Sequence, residues 1–220
     1  MKLFLPPKIC NAYSFRDFFR RDNILKQKRK FEIRGQFEIE ALQNVHHVIG
    51  RTDWDYNCTK LINSYLNYHH LQEVLRKEFY EGSWSYENCE KHTILISQGS
   101  YPIKGLHLAL ETLSLIKERF PDAKLIVCGD NILKPNTIFN ILREGYYSKY
   151  IKKLLRKYGL NNNVFFTGPL GAEEMKEQML KANVFLLPSV IENSPNSMGE
   201  AMLLGVPSVV SYVGGGNVLG

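Results

Sequence analysis

No stretch of this 220-residue chain approaches the ~20 consecutive apolar residues that span a bilayer. The opening Met1-Lys2-Leu3-Phe4-Leu5 is broken by Pro6-Pro7 too early for a signal-peptide core, so a cytoplasmic chain is expected. Cysteine is sparse: Cys10, Cys58, Cys89 and Cys128 are scattered and form no Cys-x-x-Cys, which excludes a disulfide scaffold and a zinc ribbon and suits incidental thiols in a reducing compartment. Low-complexity segments and internal repeats are also missing. The formal charge is +6, but no zinc-finger, RRM or recognition-helix pattern accompanies it, so a nucleic-acid partner is not expected. Diphosphates and anionic surfaces account for that charge equally well.

What is present is an alternation. From Lys91 onward, apolar strands predicted at Thr93 to Ser97, Lys124 to Cys128, Val164 to Phe166, Val184 to Leu187 and Ser208 to Val210 alternate with helical patterns. The helices are expected at Lys104 to Arg119, Tyr146 to Lys157, Ala172 to Ala182 and Pro195 to Leu204. Strict alternation implies a parallel sheet with right-handed crossovers, whose ligands bind outside the carboxyl ends of the strands. Lys104, Gly129, Gly168 and Glu192 all fall at such ends. With 44% hydrophobic residues the chain has ample material for a packed core.

The most informative segment is Glu192-Asn193-Ser194-Pro195-Asn196-Ser197-Met198-Gly199-Glu200, directly after an apolar strand. Ser194 reads as a helix N-cap and Pro195 as the first helical residue. The N–H groups of Asn196 and Ser197 then face outward at the positive end of a helix dipole, a place that attracts phosphate. A carboxylate on either side could take hydroxyl donors, so the layout suits a phosphate flanked by two sugars.

Here the chain resembles glycosyltransferase family 4, enzymes of the GT-B fold with two glutamates separated by seven residues. Lys104-Gly105, Gly129-Asp130, Gly168-Pro169-Leu170 and Val213-Gly214-Gly215 follow their strands in the family's order, and the resemblance covers roughly Lys91 to Gly216. It implies an α/β, GT-B type chain: residues 1–90 the remnant of an acceptor-binding domain, and residues 91–220 an incomplete Rossmann-like donor domain. Truncation at both ends is the corresponding expectation. It further implies retaining, metal-independent transfer of a sugar from a nucleotide diphosphate sugar to an acceptor hydroxyl on a glycan or lipid-linked acceptor. No cofactor or metal is expected. A non-catalytic nucleotide-binding fragment and a nucleotide-sugar epimerase of the same overall fold stand as alternatives.

By the same resemblance, Lys104 neutralises the leaving diphosphate and Glu192 accepts from the donor sugar's hydroxyls, making these the two catalytic candidates. Glu200 takes the ribose hydroxyls, and Gly168, Pro169 and Leu170 offer backbone to the base. Gln98, Gly99, Gly129, Asn193, Ser194, Asn196, Ser197 and Met198 complete the donor pocket. The family usually places an arginine on the loop before Lys104, where this chain has Ser97-Gln98-Gly99-Ser100-Tyr101-Pro102-Ile103, and Arg51 at an earlier strand exit is a substitute cation.

Upstream, His46 to Gly50 reads as a strand and Asp53 to Asn63 as a helix. Asp53-Trp54-Asp55 matches a metal-binding Asp-x-Asp but follows Thr52, so capping explains it. The pairs His46-His47 and His69-His70 lack a ligand set at zinc spacing. Tyr13 to Lys30 mixes Phe15, Phe18 and Phe19 with Arg16, Arg20, Arg21 and Lys26 as one basic helix. It reads either as a solvated face or as a surface for peripheral contact with anionic lipid.

Overall fold

The computed structural model describes residues 14–20, 23–133 and 144–215. The core of the fold is a five-stranded, all-parallel sheet. Its strands are β3 (Glu90–Ile96), β4 (Lys124–Cys128), β5 (Val164–Gly168), β6 (Ala182–Leu187) and β7 (Ser208–Val210), in the spatial order β5-β4-β3-β6-β7. The strand order reverses between β3 and β6. That is the topological switch point, where open α/β sheets bind ligands. Helices α4 (Leu106–Arg119), α5 (Tyr146–Lys157), α6 (Ala172–Lys181) and α7 (Asn196–Leu203) supply the crossovers.

Two cores cover the two faces of this sheet. One packs Ile96, Leu125 and Val127 against Leu106, Leu110 and Leu113 of α4 and Ile151 and Leu155 of α5. The other gathers Leu95, Phe185 and Leu187 with Met179 of α6, Met198 and Ala201 of α7, and Phe79. At roughly 1.5–3 kcal/mol per buried large apolar side chain, these layers dominate the folding energy. Phe79 is fully buried, and Trp84 donates its ring N–H to the Ala182 carbonyl at 2.7 Å. Packing therefore sets Phe79 and Trp84 against the five-stranded unit.

The preceding unit is smaller: α1 (Phe15–Arg20), α2 (Ile24–Asn44), β1 (His47–Gly50), α3 (Asp53–Ile62) and β2 (Asn67–His70), with β1 and β2 in a two-stranded parallel sheet. Here the sequence expectation needs correction. The basic stretch is two helices, because Asn23 accepts from the Lys26 N–H at 3.0 Å and starts a new helix that runs on to Asn44. Tyr13 and Arg21 lie outside the described residues, as does Cys10. Strand β2 was not anticipated, since Asn67-Tyr68-His69-His70 is short and polar. Among the described residues, no helix is long and apolar enough to cross a membrane.

Candidate functional site

The carboxyl ends of β3 and β6 face each other through two loops. After β3, Pro102–Lys104 forms a short 3-10 turn that ends at Gly105, whose φ of 74° lets α4 start in a new direction. After β6, Val190 donates to the Ile103 carbonyl at 2.9 Å, which ties the two loops together. The Lys104 ammonium consequently forms an ion pair with Glu192, whose carboxylate also accepts from the Ser189 hydroxyl at 2.9 Å. The two residues that the sequence singles out as catalytic are thus in direct contact.

Beside this pair, Ser97 at the end of β3 donates its hydroxyl to Ser197 at 3.1 Å. The helix begins one residue later than expected: Pro195 occupies the cap position and no side-chain cap bond forms, so Ser194 does not serve as N-cap. The consequence for the site is small. Met198 and Gly199 donate to the Pro195 carbonyl, while Asn196 and Ser197 hold the outward-facing first-turn N–H positions. Gly99 packs against Val127 and Leu106 so closely that a Cβ would lie 2.8 Å from Val127 Cγ1. Gly129 and Gly168, with φ of 87° and 80°, bridge the ends of β4 and β5 through a 3.0 Å backbone bond, and Gln98 leans toward Gly129. Pro169 is exposed, whereas Leu170 packs against the second core. Met198, expected in the donor pocket, puts its side chain in that core.

Asn193 is engaged from the other unit. Its Oδ1 accepts from the Thr52 hydroxyl at 2.6 Å, and its Nδ2 donates to Asp55 at 3.0 Å. Asp55 also accepts from the backbone N–H groups of Arg51 and Thr52, and with Thr52 it completes a capping box at the start of α3, as the capping explanation of Asp53-Trp54-Asp55 requires. Burial would raise the Asp55 carboxyl, but hydrogen bonds from Tyr68, Asn193, Arg51 and Thr52 outweigh it and hold the group below the ordinary carboxylate range. Burial and the bond to Asp55 push the Tyr68 phenol up to about 12. Arg51 pairs with Glu73 and reaches Asn196 Oδ1 at 3.4 Å, which brings its charge to the start of α7. Gly215 donates to the Glu192 carbonyl at 3.1 Å, so the glycine loop after β7 rests on the same segment.

Two features escaped the sequence reading. Arg76 grips Glu200 in a two-point fork, Nε to Oε1 at 2.7 Å and Nη2 to Oε2 at 2.8 Å, across 124 positions of sequence. His47, whose register partner is Asn67, also meets His69 diagonally across the two strands with ring nitrogens 2.9 Å apart, although no group of three or more metal-ligating side chains forms among the described residues. A signal for Arg76 existed only as a cation in a loop before an aromatic turn.

A parallel α/β sheet thus carries a lysine–glutamate pair at its switch point, next to a helix start. The family model of the glycosyl transferases group 1 matches residues 83–218, and the chain belongs to that family. It is 33% identical over 107 residues to an uncharacterized glycosyltransferase of Methanocaldococcus jannaschii, covering 48% of this chain and 22% of that protein. It is 32% identical over 114 residues to mannosylfructose-phosphate synthase of Agrobacterium fabrum, covering 51% of this chain and 23% of that protein. The chain thus matches under a quarter of the length of either relative. Among solved structures, Anabaena HepE in complex with UDP-glucose superposes with a TM-score of 0.64 at 18% identity, over 84% of this chain and 50% of that one. The fold is that of GT-B glycosyltransferases.

Proposed function

We propose that this chain is the donor-binding part of a retaining, metal-independent glycosyltransferase of family 4 that moves a sugar from a nucleotide diphosphate sugar to an acceptor hydroxyl. The observation that carries the reading is the Lys104–Glu192 pair at the switch point, one loop away from the first turn of α7. In it, Lys104 leaves Glu192 for the diphosphate and stabilises the charge that grows as the glycosidic bond breaks. Glu192, released, accepts from hydroxyls of the sugar and orients the anomeric carbon toward the acceptor. The N–H groups of Asn196 and Ser197 take phosphate oxygens, and Arg51 supplies the second cation that Gln98 cannot. With no carboxylate nucleophile in the scheme, the leaving phosphate itself takes the acceptor's proton on the face it departs from.

On this reading residues 91–220 are the donor domain, residues 1–90 end the acceptor domain, and the acceptor is a glycan or lipid-linked hydroxyl met in the cytoplasm. The test is a panel of UDP-, GDP- and ADP-sugars incubated with the full chain and an acceptor mixture, with and without EDTA, and read by product NMR. Transfer with retained configuration, unaffected by EDTA and lowered ~10²-fold or more by K104A or E192A, is the expected result. Parent-like turnover in both variants, inverted product or loss on chelation overturns it, and epimerised donor or binding without turnover assigns the site to one of the other two classes.

A further inference from the structure

We infer that Arg76 is a positioning residue for nucleotide recognition: it fixes the orientation in which Glu200 meets the ribose. The inference rests on the donor-site reading above and adds a residue from outside the donor motif.

Glu200 sits in the second turn of α7 with its side chain 3% exposed, whereas the side chain of Arg76 is 44% exposed. A carboxylate so enclosed has little water to orient it, so its direction is set by whatever group it bonds. The bonding group here is the most directional one available, a guanidinium using Nε and Nη2 as a planar fork on both oxygens. The bond to Glu200, acting against burial, raises Arg76 above its ordinary range.

The guanidinium is itself held. It stacks on the ring of Phe79 at 4.6 Å from carbon to centroid, and Phe79 is fully buried in the second core. The adjacent Leu75 lies against α7 at Gly199, where a Cβ would come within 2.9 Å of Leu75 Cδ1. The segment between β2 and the 3-10 turn at Lys77–Tyr80 therefore passes against α7, with the Leu75 side chain filling the space at Gly199. Aromatic ring, guanidinium and carboxylate form one chain of contacts from core to site. That is the build of a support, whose function is to aim its last member.

A carboxylate offers about four acceptor sites, and the fork takes two of them. The remaining sites can accept the two hydroxyls of a ribose, with a direction that the arginine plane defines. Without Arg76 the carboxylate can rotate about its last torsion, and selectivity for a vicinal diol falls while contacts to base and phosphate persist.

The experiment compares nucleotide with dideoxynucleotide. The full chain is titrated calorimetrically with UDP, GDP and ADP to find the base it accepts, then with the 2′,3′-dideoxy form of that nucleotide. The parent is expected to prefer the ribose form by ~10–100-fold, the worth of hydrogen bonds to a charged group. R76M is expected to bring the two affinities within ~3-fold of each other, mainly by weakening the ribose form, and to behave like E200Q, with the double variant no worse than either single one. Loss of fold alone would weaken both ligands equally. R76K keeps the charge without the fork; it serves if R76M does not fold, and is expected to lose at least ~3-fold in selectivity. Retained selectivity in R76M or R76K, or tighter ribose binding in R76M as for a removed blocker, overturns the positioning role and leaves the donor-site reading intact. A parent that binds none of the three nucleotides overturns both.

Discussion

Replacing Gly105 by alanine should destabilise the fold by ~1–3 kcal/mol more than the same change at Gly159, which should cost roughly 1 kcal/mol, because the two sites share a backbone conformation but differ in space. Gly105 has φ 74° and Gly159 φ 62°, both in the left-handed region where a Cβ costs roughly 1–2 kcal/mol. Around Gly159 nothing lies within 4 Å of an added Cβ. Part of the strain there is offset by the ~0.4–1 kcal/mol that alanine gains by restricting the unfolded chain. At Gly105 the Cβ would overlap the carbonyl oxygen of Pro188 and lie 2.7 Å from its carbonyl carbon. That neighbour is backbone at the exit of β6 and cannot turn aside, so the loop or the strand end must move, at an overpacking cost of ~1–3 kcal/mol. Urea unfolding read at constant m-value gives both losses. Since Gly105 also spaces Lys104 from α4, G105A should weaken nucleotide binding while G159A leaves it unchanged. Equal losses of stability in the two variants would refute the reasoning, because strain alone would then account for both.

Two further outcomes are expected. His107 is 1% exposed, meets the Tyr147 hydroxyl at 3.3 Å, and is pushed down by burial to about 4 from the ordinary 6.5. Between those values the unfolded chain binds a proton that the folded one refuses, so stability should fall as pH drops from 6.5 toward 4, by about 3 kcal/mol in total. H107L should lose that part of the slope in urea titrations at pH 7.5, 5.5 and 4.5, and an unchanged slope would exclude His107 as its source. At Asn193, a double-mutant cycle of N193A with T52V should show a coupling of ~1 kcal/mol for the 2.6 Å bond, whereas additive losses would mean that the two units do not meet through this amide.

The five-stranded sheet was legible because buried parallel strands are short unbroken apolar runs, and their exits carry glycines at Gly105, Gly129 and Gly168 that the turns use at positive φ. Helix α5 and strands β4 and β7 match their expected bounds for that reason. Strand β2 was not legible. Among the described residues its only ladder is with β1, so nothing there selects an apolar alternation in Asn67-Tyr68-His69-His70. The end of the basic stretch was legible in principle, since Asn23 before Ile24 is an N-cap signal, but the run of lysines and arginines across it hid the break. The early start assigned to α7 came from weighing Ser194-Pro195 as cap and first residue, where the backbone places Pro195 itself at the cap.

The site divides in the same way. Its two glutamates are local in sequence, since Glu192 and Glu200 share one loop and helix. What holds each of them is remote: Lys104 arrives from 88 positions away and Arg76 from 124, and Arg51 is already paired with Glu73. Each of these three cations thus has a carboxylate partner, and on the proposed reading a diphosphate enters by exchange rather than by filling an open positive pocket. When it takes Lys104, Glu192 loses its cation partner, keeping the Ser189 hydroxyl, and the freed acceptor sites are restored only if sugar hydroxyls come with the phosphate. The pair would then favour a sugar-bearing nucleotide over the bare nucleotide, which is the preference a transferase needs to release its spent donor.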